Sequence, residues 1–110
     1  MLDQPEKTLD LIAAMRAAVP FEVELMPPLI AQLRAGRVVA GIEARQIVRD
    51  VSYAGDEGGI LCHIEPERLG NRLLISLTHL RLSRSLPFAP AALGYQKHRV
   101  KKLKKQRPAS

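Results

Sequence analysis

The sequence predicts an α+β domain: a mostly antiparallel sheet of about four strands, in the order α-β-α-β-β-β-α, with helices packed on one face and a basic helix at the C-terminus. Three observations carry this expectation. Apolar residues recur at helical intervals near both ends, the period changes to two from Arg45 onward, and the glycine-rich "AGDEGG" separates two alternating runs. A chain of 110 residues with 46% hydrophobic content has the size of one domain. It should bury roughly two thirds of its unfolded surface, enough for a core without disulfides or metals.

Asp3 and Glu6 have capping-box spacing, with Asp in place of Ser or Thr, and Leu9, Ile12, Met15 and Val19 follow at helical intervals. They predict a helix from about residue 5 to 18, which Pro20 ends. In "FEVEL" that follows, Phe21, Val23 and Leu25 share one face and Glu22 and Glu24 the other, so a short strand with one wet face is expected. "MPPLIAQLRAG" has prolines where a helix begins and Gly36 where one ends, and predicts two helical turns. "RVVAGIEA" is ambiguous.

"RQIVRDVSY" and "ILCHIE" flank "AGDEGG" and form the strongest structural signal, a hairpin. Symmetric pairing about the turn sets Asp50 opposite His63, Val51 opposite Cys62 and Tyr53 opposite Ile60. "RLLISLTHLRLS", after the loop "PERLGN", is expected to add a third strand in a meander. The register preferred for it places Ile64 opposite Ile75 and Cys62 opposite Leu77, gathering apolar residues on one face. The final helix is expected from about Ala89 to Lys105.

Charge divides the chain sharply. Residues 1–94 form a near-neutral body with ten Lys/Arg against eleven Asp/Glu, and residues 95–110 a basic tail of the same domain with seven against none. On a helical wheel Ala89, Ala92, Leu93, Gln96, Val100 and Leu103 share one arc, with the lysines over most of the remainder. Lys97, Arg99, Lys101, Lys102, Lys104, Lys105 and Arg107 are therefore the candidate nucleic-acid-binding residues, suited to the phosphate backbone of RNA or DNA. Five of the seven are Lys, a point charge without the planar fork that reads bases, so weak sequence preference is expected. The aromatic set is Phe21, Tyr53, Phe88 and Tyr95, with the first two expected in the core, which leaves Tyr95 alone near the basic run to stack on a base.

Two other partners fit the same features less well. Exposed strand edges or the apolar helix stripe would serve a protein partner or a homo-oligomer. A membrane surface is not expected, because the helix offers only Leu93, Val100 and Leu103 as sizeable apolar residues.

An enzymatic reading rests on the sheet face. In the preferred register Ser76 lies beside His63, giving an Asp50-His63-Ser76 row with the residue types of an acid, base and nucleophile array. A flat wet face supplies neither oxyanion hole nor cleft, so no catalytic residue is assigned. No cofactor or metal is expected: Cys62 and His63 point to opposite faces, and the preferred register leaves His79 remote from His63. Cys62 alternates with Ile60 and Ile64 on the core side and reads as a buried, inert thiol. The acidic N-terminus and the absence of an apolar run of roughly 20 residues point to a cytoplasmic protein.

Overall fold

The computed structural model describes residues 5–36, 42–66 and 71–106 of the chain, together with all their side chains except those of Glu57, Lys105 and Gln106. Asp3 of the expected capping box, residues 37–41 of the ambiguous run, residues 67–70 of the loop "PERLGN", the side chain of Lys105 and Arg107 lie outside this set.

The chain opens with helix α1, Pro5–Ala18, followed by strand β1, Phe21–Leu25. Helix α1 buries Thr8, Leu11, Ile12 and Met15, the one-sided spacing of an amphipathic helix. Strand β1 alternates buried and exposed at every position, with Phe21, Val23 and Leu25 inward. Helix α2, Pro27–Ala35, starts where Pro27 holds Met26 in an extended conformation, and it ends at Gly36, whose N–H returns to the Gln32 carbonyl.

Strands β2, Arg45–Tyr53, and β3, Ile60–Ile64, form the expected hairpin around a single helical turn, α3, Gly55–Gly58. Asp50 pairs with His63, Val51 with Cys62 and Tyr53 with Ile60, as symmetric pairing predicts. A bulge between Val48 and Asp50 then shifts the register, so Val48 meets Ile64. Tyr53, expected in the core, is instead 37% exposed.

The third run departs from expectation and brings the strand count to five. It is broken by a 3-10 turn, Leu77–His79, into β4, Leu73–Ser76, and β5, Leu80–Leu82, before the final helix α4, Ala89–Gln106. The Ser76 hydroxyl caps the turn by accepting the Thr78 N–H, and the His79 carbonyl accepts the Met26 N–H, tying the turn to the end of β1. The sheet order is β4-β3-β2-β1-β5, antiparallel at every pairing. A flat sheet would separate its outer strands by four spacings, about 19 Å. The chain from Ser76 to Leu80 reaches at most about 14 Å. The sheet must therefore curl, bringing its two outer strands together at the 3-10 turn.

The core lies inside that curl and under α1 and α4. Val23, Val48, Val51, Ile60, Ile64, Leu77 and Leu80 are fully buried, and each such side chain removed from water stabilises the fold by about 1.5–3 kcal/mol. Phe21 and Phe88 meet edge to face with centroids 5.0 Å apart, joining β1 to the segment that enters α4. The opposite sheet face carries Glu22, Glu24, Asp50, Ser52, His63, Leu74 and Arg81, in agreement with the pairings.

Candidate nucleic-acid interface

Helix α4 has no acidic residue and carries the basic run. Its buried face differs from the expected stripe. Ala89 and Ala92 are buried as anticipated, but Leu93 is 50% exposed and Val100 and Leu103 are 38% exposed, whereas Arg99 is only 2% exposed. The helix is rotated so that Ala92, Tyr95, Gln96 and Arg99 face the body.

Three polar side chains fix that rotation. The Gln96 amide donates to the carbonyls of Leu77 and Leu80, both at 2.7 Å, and so closes off carbonyls at either end of the 3-10 turn. The Tyr95 hydroxyl accepts the Ile60 N–H at 3.0 Å, where β3 begins. Arg99 donates from a terminal nitrogen to the Asp56 carbonyl at 3.0 Å, inside the α3 turn. Tyr95 and Arg99, one helical turn apart, thereby hold the β2–β3 hairpin from the side.

Gly59 makes this approach feasible. Its φ of +69° belongs to a region that L-residues rarely adopt, and a Cβ there would lie 2.5 Å from the Tyr95 hydroxyl and 2.8 Å from the Arg99 guanidinium carbon. The bare backbone is the floor on which both side chains rest. Arg99 is consequently a structural cation, embedded among protein atoms. Among the described side chains of the predicted set, Lys97, Lys101, Lys102 and Lys104 are exposed.

The remaining sites identified from the sequence do not assemble for catalysis. Strand β4 pairs with β3 two residues away from the expected register: Cys62 faces Ile75, His63 faces Leu74 and Ser76 faces Leu61. An Asp50-His63-Ser76 row therefore does not form. Both registers keep Ile75 on the apolar face, so the alternation of side chains cannot choose between them. Ser76 bonds instead to Thr78, Oγ to Oγ1 at 2.8 Å.

His63 does meet a serine, Ser52, which shares the open face: Ser52 Oγ lies 2.7 Å from His63 Nε2. The other ring nitrogen, Nδ1, lies 3.4 Å from an Arg72 terminal nitrogen. Arginine only donates, so where Nδ1 accepts from Arg72 the ring carries its proton on Nε2, facing the serine oxygen. In that tautomer His63 cannot take the Ser52 proton. Asp50, the neighbour that would favour the opposite tautomer, turns back on its own strand and accepts the Val51 N–H at 2.8 Å. Arg72 also pairs with Glu65 at 2.9 Å, which completes a polar chain across β3 and its flanking loop.

Cys62 lies fully buried on the core side, and burial pushes its thiol up to about 12, far from the thiolate that a nucleophile or metal ligand needs. No group of three or more His, Cys, Asp or Glu residues able to hold a metal ion occurs among the described residues. Nor is any helix among them long and apolar enough to cross a membrane. Comparison with protein-family models, curated proteins and solved structures gives no match.

Proposed function

We propose that this protein binds the phosphate backbone of RNA or DNA, without chemistry of its own, through the outward face of α4. The observation that carries the reading is the placement of Lys97, Lys101, Lys102 and Lys104 in solvent on a helix that lacks any carboxylate and is pinned by Tyr95, Gln96 and Arg99. Like charges at 97/101 and 101/105 disfavour an isolated helix by a few tenths of a kcal/mol per pair. The three anchors offset that cost, so the cations are presented in a fixed array instead of on a loose tail.

The array favours backbone contact over base reading. Lysine meets a phosphate as a point charge, and Arg99, which has the fork that reads guanine, is buried in the body. Tyr95 is likewise committed to the Ile60 N–H, so the helix offers no aromatic platform for unpaired bases. Duplexes of differing sequence should bind alike.

The test is fluorescence polarisation with duplex DNA, duplex RNA and single-stranded RNA over a range of salt, comparing wild type with Lys97→Glu/Lys101→Glu/Lys102→Glu. Binding should weaken with salt at a log-log slope of about −0.9 per contacted duplex phosphate, and the triple variant should flatten that slope by about 3. Equal binding by both proteins, or none at low salt, would overturn the reading. It would transfer the role to protein contacts at the outer edge of β4, where Leu74 stands 49% exposed.

A further inference from the structure

We propose that the hollow between the 3-10 turn and the C-terminal half of α4 is a seat for one phosphate group. It encloses about 380 Å³ and is lined by Ser76, Thr78, His79, Arg99 and Lys104, with Val100 and Leu103 forming an apolar side. No carboxylate lines it among the described residues. Two larger grooves differ in this respect: the one between α1 and α4, of about 750 Å³, sets Asp10 beside Lys7, and the one along β1 and β5, of about 520 Å³, sets Glu22 and Glu24 beside Arg81. A third, of about 510 Å³ between β5 and the start of α4, also lacks a carboxylate and carries Arg81 and Arg84, but no hydroxyl lines it. An anion would meet a carboxylate in either of the first two and none among the described side chains that line this hollow.

The hydroxyl pair supplies a donor by simple counting. Ser76 Oγ and Thr78 Oγ1 are 2.8 Å apart and share one of their two hydrogens, while the Thr78 N–H also points at Ser76 Oγ at 3.3 Å. One hydroxyl hydrogen is left over to donate to a ligand, whichever oxygen carries it. Arg99, held by the Asp56 carbonyl, fixes a positive charge at the wall, and exposed Lys104 can swing its ammonium across the mouth. His79 adds a ring N–H. A tetrahedral oxyanion with several acceptor oxygens matches this set of donors, whereas an apolar or cationic ligand does not.

The two walls are held in register before any ligand arrives. Gln96 bonds from α4 to the carbonyls of Leu77 and Leu80 on either side of Thr78, so the hydroxyls and the helix turn that carries Arg99 stay together. Such preorganisation lowers the ordering cost of binding. The seat shares only Lys104 with the exposed lysine array, its other polar groups coming from Arg99 and the 3-10 turn, and it would take a free phosphate monoester as readily as a phosphodiester from a strand lying along the helix.

The experiment is a ¹H–¹⁵N chemical-shift titration with inorganic phosphate at constant ionic strength. Saturable shifts centred on Gly58, Thr78, His79 and Val100 are expected, with affinity reduced at least about tenfold in Thr78→Val/Lys104→Ala. Lys104→Ala alone, at an exposed position, should keep the fold and still weaken binding about threefold. Shifts that fail to saturate, that spread over Lys97, Lys101 and Lys102, or that persist unchanged in both variants would overturn the seat. Lys97→Glu/Lys101→Glu/Lys102→Glu should keep its phosphate site, so loss of nucleic-acid binding in that variant leaves this result standing. A nucleoside 5′-monophosphate and a dinucleoside monophosphate then separate the sources. Preference for the first identifies a small phosphorylated ligand, and equal binding of the second identifies a nucleic-acid backbone.

Discussion

The two halves of α4 obey different rules although they belong to one helix. From Ala89 to Arg99 its inward side chains are small or make directed polar bonds, and the helix closes against the curled sheet. From Val100 onward the described side chains are exposed, and even the apolar Val100 and Leu103 remain more than a third accessible. Position along the helix, more than residue type, decides what a cation does. Arg99 is architecture and Lys101, two residues later, is surface. The first half gives the second its rigidity, and the second gives the first no comparable support.

That asymmetry can be broken most directly at Arg99. Arg99→Ala should cost about 2–4 kcal/mol, because the Asp56 carbonyl loses a charged donor in a buried setting and the stem leaves a void. Urea unfolding of the variant reads this loss. Gly59→Ala attacks the same junction from the other side: a methyl at φ +69° is strained and collides with both Tyr95 and Arg99, so a loss of similar size is expected. If Arg99→Ala unfolded at the wild-type urea midpoint, Arg99 would have to be grouped with the lysines.

Tyr95→Phe sharpens the comparison with a smaller change. It keeps the ring and removes the oxygen that accepts the Ile60 N–H, leaving a backbone donor without its partner. The expected loss is about 1–2 kcal/mol, and amide exchange at Ile60 should accelerate with it. Exchange at Ile60 no faster than in the wild type would mean that water or a shifted backbone replaces the hydroxyl without loss.

Much of this architecture is legible in the sequence, and the parts that are not share a cause. The hairpin registers correctly because alternation and a turn-rich centre act together on Asp50, Val51, Tyr53 and their partners. Helix α2 is legible from Pro27, Pro28 and Gly36. The β4 register is ambiguous because slipping by two residues preserves the buried face, and only the position of the 3-10 turn decides it. The turn left one trace: inward leucines fall at Leu77 and Leu80, three apart, where an unbroken strand requires two. Charge alone groups Arg99 with the lysines as a phosphate-binding candidate. The countersign is the long-reaching Tyr95–Arg99 pair at helical spacing, together with Gly59, whose bare backbone gives such side chains somewhere to lie. The Ser76–Thr78 pair was hidden for the same reason as the turn, since a hydroxyl two residues from another looks like an ordinary wet strand face until the strand is broken.

The smallest stability effect belongs to the lysines, and its smallness is the point. Lys97→Glu/Lys101→Glu/Lys102→Glu changes the net charge by six, yet it touches none of the contacts that fix α4. Glutamate at 101 gains an attractive partner in Lys105, and it also stays beside glutamate at 97 and near the negative end of the helix dipole, where acidic residues are disfavoured. These terms are each a few tenths of a kcal/mol and oppose one another. The melting temperature should therefore stay within about 3 °C of wild type, checked by circular dichroism at moderate salt. A larger fall would mean that the lysine face helps to hold the fold, and a loss of nucleic-acid binding in that variant could then no longer be assigned to phosphate contacts. An unchanged melting curve with lost binding is the combination that separates the two halves of the helix by function as cleanly as burial separates them by structure.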